Sequence, residues 1–236
     1  MYSSLVRRFK PQGRVVIALL LLLIIGWALQ AAARAGLSDL YAFQVSSYTQ
    51  KWAAADDPSD AAITNKEWLE VSGAIDRLLW LVPEHPDYLQ AAGIAYGLYA
   101  NKGTVATERV DALLALSADF YRQSLSSRPA WPYAWGNLVL LKAGQGQLDA
   151  EFYHALERAA TLGPWEPEVQ MALTEAGLAH WSALNAVAKG IVVATVSRGI
   201  SRDLNTFQRL ATSYQQLDTL CLYLPKNAHQ QRFCKA

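Results

Sequence analysis

The sequence predicts an all-α protein, and three observations support this prediction. A long apolar run near the N-terminus has the length of a membrane-spanning helix, apolar residues then recur at three- and four-residue spacings, and a Pro-x-x-Pro motif interrupts the helical sequence three times. The chain has 236 residues, 52% of them hydrophobic, which suits one or two globular units with a sizeable core. We therefore expect an N-terminal transmembrane helix, a helical-repeat body and a helical C-terminal cap.

The N-terminal segment predicts a signal anchor. Residues 1–14 carry four basic side chains and no acidic one, and the nineteen residues that follow, "VVIALLLLLIIGWALQAAA", are uncharged. At about 1.5 Å per residue this run extends roughly 28 Å, close to the hydrocarbon thickness of a bilayer. We expect residues 1–14 to stay in the cytoplasm and residues 15–35 to cross the lipid bilayer, so that the remaining chain lies outside the cytoplasm. The alternative is a cleavable signal peptide, because the small residues between positions 31 and 35 resemble a cleavage context.

Residues 36–62 are expected to hold a juxtamembrane helix, which extends the membrane helix outward, and a linker. The acidic, proline-containing stretch "DDPSD", residues 56–60, predicts that linker. From Asn65 the sequence "NKEWLEVSGAIDRLLWLV" has the periodicity of a helix with one buried face, which is expected to end at Pro83. Pro86 then suits the first turn of the next helix, where a missing N–H costs nothing.

The Pro-x-x-Pro motif occurs as "VPEHPDYL", "RPAWPYAW" and "GPWEPEVQ". Its first prolines, Pro83, Pro129 and Pro164, are 46 and 35 residues apart, and a period near 35 residues is typical of helical repeats. Helical sequence flanks each motif, so each is expected to form the corner between one repeat and the next. Residues 63–180 are therefore predicted to be a tetratricopeptide-like solenoid, whose repeats bury their apolar faces by stacking on one another.

The agreement with the tetratricopeptide pattern is partial. The signature W-x2-L-G-x2-Y is met best by Leu89, Ala92, Gly93 and Tyr96. Lys142 and Gly177 stand where the pattern has an aromatic residue. The longer first interval is expected to place its extra residues in an inter-helix loop over residues 101–111. Residues 181–236 are predicted to cap the array, with a long helix over residues 201–222.

Aromatic residues are the one excess that suggests a binding surface. Four of them lie at or beside the second and third corners, and one lies on the helix after the first corner: Trp131, Tyr133, Trp135, Trp165 and Tyr96. In one interpretation these rings pack the seams between repeats, since each buries a large apolar area. In the other, one or two stay exposed as a platform for a sugar ring or a partner helix. The remaining tryptophans of the helical body are expected in the core: Trp52, Trp68, Trp80 and Trp181.

No catalytic or metal-binding pattern stands out. The four histidines are scattered without a partner at metal-ligand spacing, and the chain has no glycine-rich phosphate loop after a strand and no nucleophile elbow. Glu166 and Glu168 begin a predicted helix, whose dipole they favour, rather than forming an acid/base pair. The net charge is +1 and the basic residues are dispersed. We expect no catalytic residue, no metal, no cofactor and no nucleic-acid partner.

The only two cysteines, Cys221 and Cys234, lie thirteen residues apart near the C-terminus. In an oxidising compartment a disulfide between them would constrain the tail by about 3 kcal/mol on the loop-entropy model. Two free thiols are the alternative. A metal site is not expected, because the spacing lacks a second pair of ligands.

The block "YRQSLSSRPAWPYAWGNLVLLKAGQGQLDAEFYHALERAATLGPWEPEVQ" resembles the VpsP family of bacterial polysaccharide-biosynthesis proteins, as does the C-terminal "CLYLPKNAHQQRFC". The resemblance carries no catalytic residue to this chain. It implies a single-pass protein of the bacterial inner membrane, with its N-terminus in the cytoplasm and its soluble domain in the periplasm. It also implies a non-enzymatic accessory role in exopolysaccharide or capsule production.

These observations leave several functions to weigh. The first is an adaptor that docks other membrane or periplasmic proteins of polysaccharide assembly on its repeats, and the second is a module that binds the nascent polysaccharide through its corner aromatics. A glycosyl-transferring or hydrolysing enzyme would need two facing carboxylates in a cleft, for which the spacing of acids gives no support. A scaffold for another envelope process, such as cytochrome maturation, is a further alternative. Residues 37–55 could also occupy the groove of the repeats.

Overall fold

The computed structural model describes residues 11–54 and 62–235 and confirms the all-α fold class. Over those residues no strand occurs, and one isolated bridge joins Ile63 to Gly103. The helices are α1 (Pro11–Ala54), α2 (Asn65–Leu81), α3 (Pro86–Lys102), α4 (Thr107–Ser127), α5 (Pro132–Gly144), α6 (Ala150–Leu162), α7 (Pro167–Ala179), α8 (Ala186–Arg202), α9 (Leu204–Ser213), α10 (Leu217–Tyr223) and α11 (Ala228–Phe233).

The first helix, α1, combines an apolar segment with a segment that packs on the body. It is continuous over 44 residues and is long and apolar enough to cross a membrane, a property that suits a membrane span and a signal sequence alike. Its large apolar side chains from Val15 to Leu29 are exposed, whereas Ser38, Val45 and Trp52 are buried against the body. Helix α1 thus continues past the apolar run to Ala54, in contact with the body. The predicted linker at residues 56–60 and most of the basic tail lie outside the described residues.

Local signals explain where the helices begin. Pro86, Pro132 and Pro167 are the first residues of α3, α5 and α7, as predicted. A capping box starts α2: the Thr64 hydroxyl accepts a hydrogen bond from the Glu67 backbone N–H, and the Glu67 carboxylate accepts one from the Thr64 backbone N–H. Each helix after a corner then has its positive N-terminal end at that corner.

Helices that follow one another pack as pairs, and the pairs contact their neighbours. The most extensive contacts join α3 with α4, α1 with α2, α5 with α6, α5 with α7 and α7 with α8, and α1 also packs on α3. Glycines allow the close approaches: a Cβ on Gly93 would lie 2.7 Å from the Tyr121 ring, and one on Gly177 would lie 2.3 Å from Val192. Residues of α1 beyond Leu37 pack on α2 and α3.

Two details of the predicted body are wrong. Residues 101–111 do not form a long inter-helix loop, because α3 continues to Lys102 and α4 begins at Thr107; the extra residues lengthen these helices to 17 and 21 residues, against 13 in α5. Trp80 is not a core residue, since its side chain is 80% exposed. It falls between the apolar positions of α2 that face the body. Trp52 and Trp181 are buried, as expected, and Trp68 is half-buried against the core.

The C-terminal region packs on α8. The predicted long helix over residues 201–222 is wrong: α8 ends at Arg202, and a turn with a positive φ at Gln215 separates α9 from α10. Helix α11 contacts α8 and α9, with Phe233 fully buried. The sulfur atoms of Cys221 and Cys234 lie 1.98 Å apart, so the structure pairs them as a disulfide.

Candidate functional site

The three Pro-x-x-Pro motifs form corners at residues 82–85, 128–131 and 163–166, here called the first, second and third corners. Contacts between neighbours place them side by side. Arg128 of the second corner forms a 2.9 Å ion pair with Asp87, which follows the first corner. A Cβ on Gly163 would lie 2.7 Å from the Pro132 ring, so the second and third corners also touch. The row of three corners is called the corner edge.

Tyr133 links the second corner to the third. Its hydroxyl donates a hydrogen bond to the Glu166 carboxylate, and this bond raises the pKa of Tyr133 to about 12. The ring is half-buried against the core and lies 4.9 Å from the Trp131 ring. Tyr133 is therefore held as a neutral donor whose hydroxyl already has a partner.

Trp135 and Arg158 both bind a backbone carbonyl of the second corner. The Trp135 indole N–H donates to the Pro129 carbonyl at 2.9 Å, and Arg158 donates to the same oxygen at 3.3 Å. The Trp135 ring meets His154 of α6 edge to face at 5.4 Å. Proline corners leave carbonyl oxygens without helical partners, and these two side chains satisfy one of them.

The third corner repeats this arrangement with different residues. Gln170 donates to the Pro164 carbonyl at 2.8 Å, and Arg198 of α8 donates to the same oxygen at 3.0 Å. Gln170 and Trp135 each stand three residues after the second proline of their motif. Two unlike side chains at equivalent positions thus make the same hydrogen bond, which identifies the position as a structural one.

Trp131 is also engaged by its surroundings. Its indole N–H donates to the Gln90 side chain of α3 at 2.9 Å, and the Arg128 guanidinium lies 3.5 Å from its ring centroid. The ring is half-buried. An arginine stacked over an indole face is a cation–π contact that covers the surface a ligand would use.

Trp165 differs from the other corner aromatics because its side chain is 68% exposed. The Arg198 guanidinium lies 6.0 Å from the ring centroid, and Arg202 donates to the Trp165 backbone carbonyl at 3.3 Å. No other ring among the described residues stacks on it. Of the predicted candidates, Trp165 is the one whose side chain is largely exposed, with the Arg198 guanidinium over one face of its ring.

Tyr96 does not belong to the corner edge. It lies ten residues into α3, about 15 Å along the helix from the first corner. Its ring packs against Trp68 at 4.9 Å and Phe120 at 5.3 Å, and burial raises the pKa of Tyr96. The structure therefore places Tyr96 in the seam between α2, α3 and α4, separate from the other four candidates.

Sequence reasoning missed a charged cluster where α4, α5 and α6 meet. Lys142, buried at the end of α5, forms 2.9 Å ion pairs with Asp149 and Glu151, and Arg122 of α4 grips Glu151 through two hydrogen bonds of 2.7 and 2.8 Å. Hydrogen bonds from Arg122 lower the pKa of Glu151 to about 2. The sequence signal that could have revealed this cluster is the pair Asp149 and Glu151, which follow Lys142, a lysine at a core position, by seven and nine residues.

The described residues contain no group of three or more His, Cys, Asp or Glu side chains placed to hold a metal ion. Comparisons of the chain with protein-family models, curated proteins and solved structures find no match. Function is therefore assigned from the residues and their geometry.

Proposed function

We propose that this chain is a single-pass inner-membrane protein whose periplasmic helical body serves as a non-enzymatic adaptor in exopolysaccharide or capsule biosynthesis. The observation that carries the proposal is the continuity of α1. One helix holds the exposed apolar segment from Val15 to Leu29 and the buried positions Ser38, Val45 and Trp52. A body joined to its anchor without a flexible segment presents its surfaces to other membrane proteins at a fixed height.

The pairing of helices supports a tetratricopeptide-like array within this proposal. Helices α3 with α4, α5 with α6 and α7 with α8 form successive pairs, and each new pair begins at a Pro-x-x-Pro corner. Arrays of this kind bind peptides or helices on extended surfaces. The resemblance to the VpsP family supports the pathway, and the partners we propose are membrane or periplasmic proteins of polysaccharide assembly.

The third corner is the part of the corner edge best suited to docking a partner. Trp165 is exposed between Arg198 and Arg202, and tryptophan and arginine are the residues most enriched among those that dominate binding energy at interfaces. The second corner is less suited, because Trp131 and Trp135 are committed to hydrogen bonds within the body.

The test uses a photo-crosslinking side chain at Glu168, which is exposed near Trp165, in the full chain in its native membrane. We expect it to capture one membrane protein of polysaccharide assembly. A crosslinker at Leu69, exposed on α2, should not capture that protein, and Trp165→Ala should weaken its capture at Glu168, whereas Trp80→Ala should not. Capture of no protein from Glu168, in cells whose polymer production depends on this chain, would contradict the adaptor proposal.

A polysaccharide-binding module is the second candidate, and the exposure of Trp165 is the observation that favours it. Aromatic faces that remain open to solvent can stack on sugar rings. Trp165 and Trp80 are matched for the test, since they are 68% and 80% exposed. Retention of the purified polymer by the full chain in detergent, lost in Trp165→Ala and kept in Trp80→Ala, would support this candidate over the adaptor.

A further inference from the structure

A cleft of about 440 Å³ lies between α1 and the first corner. One wall comes from α1, with Trp27, Arg34 and Ser38, and the other comes from the first corner region, with Leu81, His85 and Tyr88. The cleft thus lies where the apolar segment of α1 gives way to the part of α1 that packs on the body. It is separate from the exposed Trp165 at the third corner.

The cleft straddles the end of the apolar run. That run ends at Ala33, so Arg34 is the first charged residue beyond it, and Trp27 lies seven residues earlier, about 10 Å deeper along the helix. With the run across the hydrocarbon, Arg34 lies at the level of the lipid headgroups and Trp27 at the level of the acyl chains. Trp80, 80% exposed and adjacent to Leu81, then lies near the interface, where tryptophan is enriched.

The polar wall of the cleft is suited to an anion. Among the described residues, Arg34 has no ion-pair or hydrogen-bond partner, and no carboxylate lines the cleft. Nδ1 of His85 is buried without a hydrogen-bond partner. Two nearby acids are occupied, since Asp39 accepts a hydrogen bond from Tyr88 at 2.8 Å and Asp87 pairs with Arg128. The side chain of a third, Glu84, is exposed to solvent and has no partner in the part of the chain that the structure describes.

We propose that this cleft binds an anionic phospholipid of the outer leaflet, with the phosphate at Arg34 and an acyl chain against Trp27 and Leu81. The inference rests on the membrane anchor of the proposed function. An apolar wall below a lone cation matches the amphipathic shape of a lipid, and basic pockets between helices next to a membrane surface bind anionic lipid headgroups. The bound lipid would fill the space between the span and the body and fix the angle between the first corner and the membrane surface.

The experiment compares the full chain with Arg34→Gln and with a matched control, Arg109→Gln. Arg109 is exposed at the start of α4, beside a different cleft, and its side chain has no partner among the described residues. Each chain is placed in nanodiscs that contain phosphatidylglycerol and phosphatidylcholine in equal amounts, and native mass spectrometry after gentle detergent extraction counts the lipids of each kind that it retains. We expect wild type and Arg109→Gln to retain phosphatidylglycerol in preference to phosphatidylcholine, and Arg34→Gln to lose about tenfold in retention, as for one charge-assisted hydrogen bond.

Equal retention of phosphatidylglycerol by Arg34→Gln and wild type would overturn the lipid site, as would retention of both lipids in the proportions supplied. Intact masses in the same spectra separate this failure from a failure of the anchor. A mature chain that begins after the apolar run would disprove the anchor and the cleft together, whereas a full-length chain without bound lipid disproves the cleft alone.

Discussion

Lys142 illustrates how a charged side chain is accommodated in the interior of this protein. Its side chain is 4% exposed, and its ammonium group is held by Asp149 and Glu151 at 2.9 Å each. Arg122 binds Glu151 as well and also pairs with Asp119 of its own helix, so two cations and three carboxylates join three helices. A buried charge of this kind is tolerated when its partners are complete, and it becomes costly when one of them is removed.

We predict that Glu151→Gln lowers the free energy of unfolding by about 1–2 kcal/mol, since it removes the carboxylate shared by Lys142 and Arg122 while Asp149 stays, and Glu151 is partly exposed. Urea unfolding of the full chain in detergent, followed by circular dichroism, measures this change. Glu157→Gln is the control, because Glu157 is exposed on the same helix and is expected to have no effect. Equal losses in the two variants would contradict a role for the cluster.

The cluster also predicts a pH dependence. The pKa of Glu151 is lowered from its ordinary 4.5 to about 2, so its ionised form stabilises the folded chain above about pH 4.5, and this contribution is lost as the pH falls from 4.5 towards 2. The difference in unfolding free energy between wild type and Glu151→Gln should therefore be full at pH 7 and shrink below pH 4.5. A difference that stays constant down to pH 2.5 would disprove this assignment.

Trp135 and Trp165 are predicted to respond differently to the same change. Trp135→Phe removes the N–H that binds the Pro129 carbonyl and should destabilise the chain by about 1 kcal/mol. Trp165→Phe removes no hydrogen bond of the side chain and should leave stability unchanged. The two midpoints of thermal unfolding give the comparison, and a loss of stability in Trp165→Phe would show that this ring is buried by a further contact.

At the scale of helices, the contact between α7 and α8 depends on the absence of a side chain at Gly177. We predict that Gly177→Ala destabilises the protein by about 1–3 kcal/mol, because its Cβ would lie 2.3 Å from Val192. Gly190→Ala is the matched control in α8: nothing lies within 4 Å of its Cβ, so it should stabilise the helix by about 0.5–1 kcal/mol. Opposite shifts of the thermal midpoint are expected, and destabilisation by both would contradict this packing.

Local sequence signals predicted where helices begin better than where they end. Prolines at the first turn identified the starts of α3, α5 and α7. The end of α3 was mispredicted, because the turn at residues 103–106 is fixed by a distant segment: Ile63 donates to the Lys102 carbonyl at 3.0 Å and accepts from Thr104 at 3.4 Å. A contact between residues about 40 positions apart produces no periodic pattern in the sequence, so the pattern of apolar residues could not predict it.

The sequence predicted which residues lie at the corners, but it did not predict their hydrogen bonds or their exposure. Counting from the prolines placed Trp135 and Gln170 at equivalent positions, but their common hydrogen bond to a proline carbonyl required the folded corners. Exposure likewise depends on neighbours. Trp131 is covered by Arg128, 3.5 Å from its ring centroid, and by Gln90, whereas Arg198 lies 6.0 Å from the Trp165 ring centroid and leaves that residue 68% exposed.

At the scale of the whole molecule, the disulfide reports the compartment of the body. If the body lies in the periplasm, Cys221 and Cys234 should resist maleimide labelling in intact protein and react only after reduction, because both sulfurs are bonded. Double substitution with serine should lower stability by about 3 kcal/mol on the loop-entropy model. Labelling is scored by mass shift on a gel. Reaction without a reductant, in protein alkylated at the moment of cell lysis, would place the body in the cytoplasm.

The last prediction concerns where the folded body begins. In the part of α1 from Ser38 to Trp52, the side chains of Val45 and Trp52 are buried. Lys51 forms an ion pair with Glu67 of α2, and Lys102 of α3 donates a hydrogen bond to the Trp52 carbonyl. A chain that starts at Gly36 should therefore lose the apolar span and keep the body, with a thermal midpoint close to that of the full chain.

A chain that starts at Ala62 removes the packed part of α1 as well. It should be destabilised by several kcal/mol, since two large core side chains of α1 are lost and the faces of α2 and α3 beneath them become exposed. Circular dichroism melts of the two truncated chains decide the matter. Equal midpoints would show that α1 beyond the span is an appendage, and the anchor would then hold the body loosely instead of at a fixed height above the membrane.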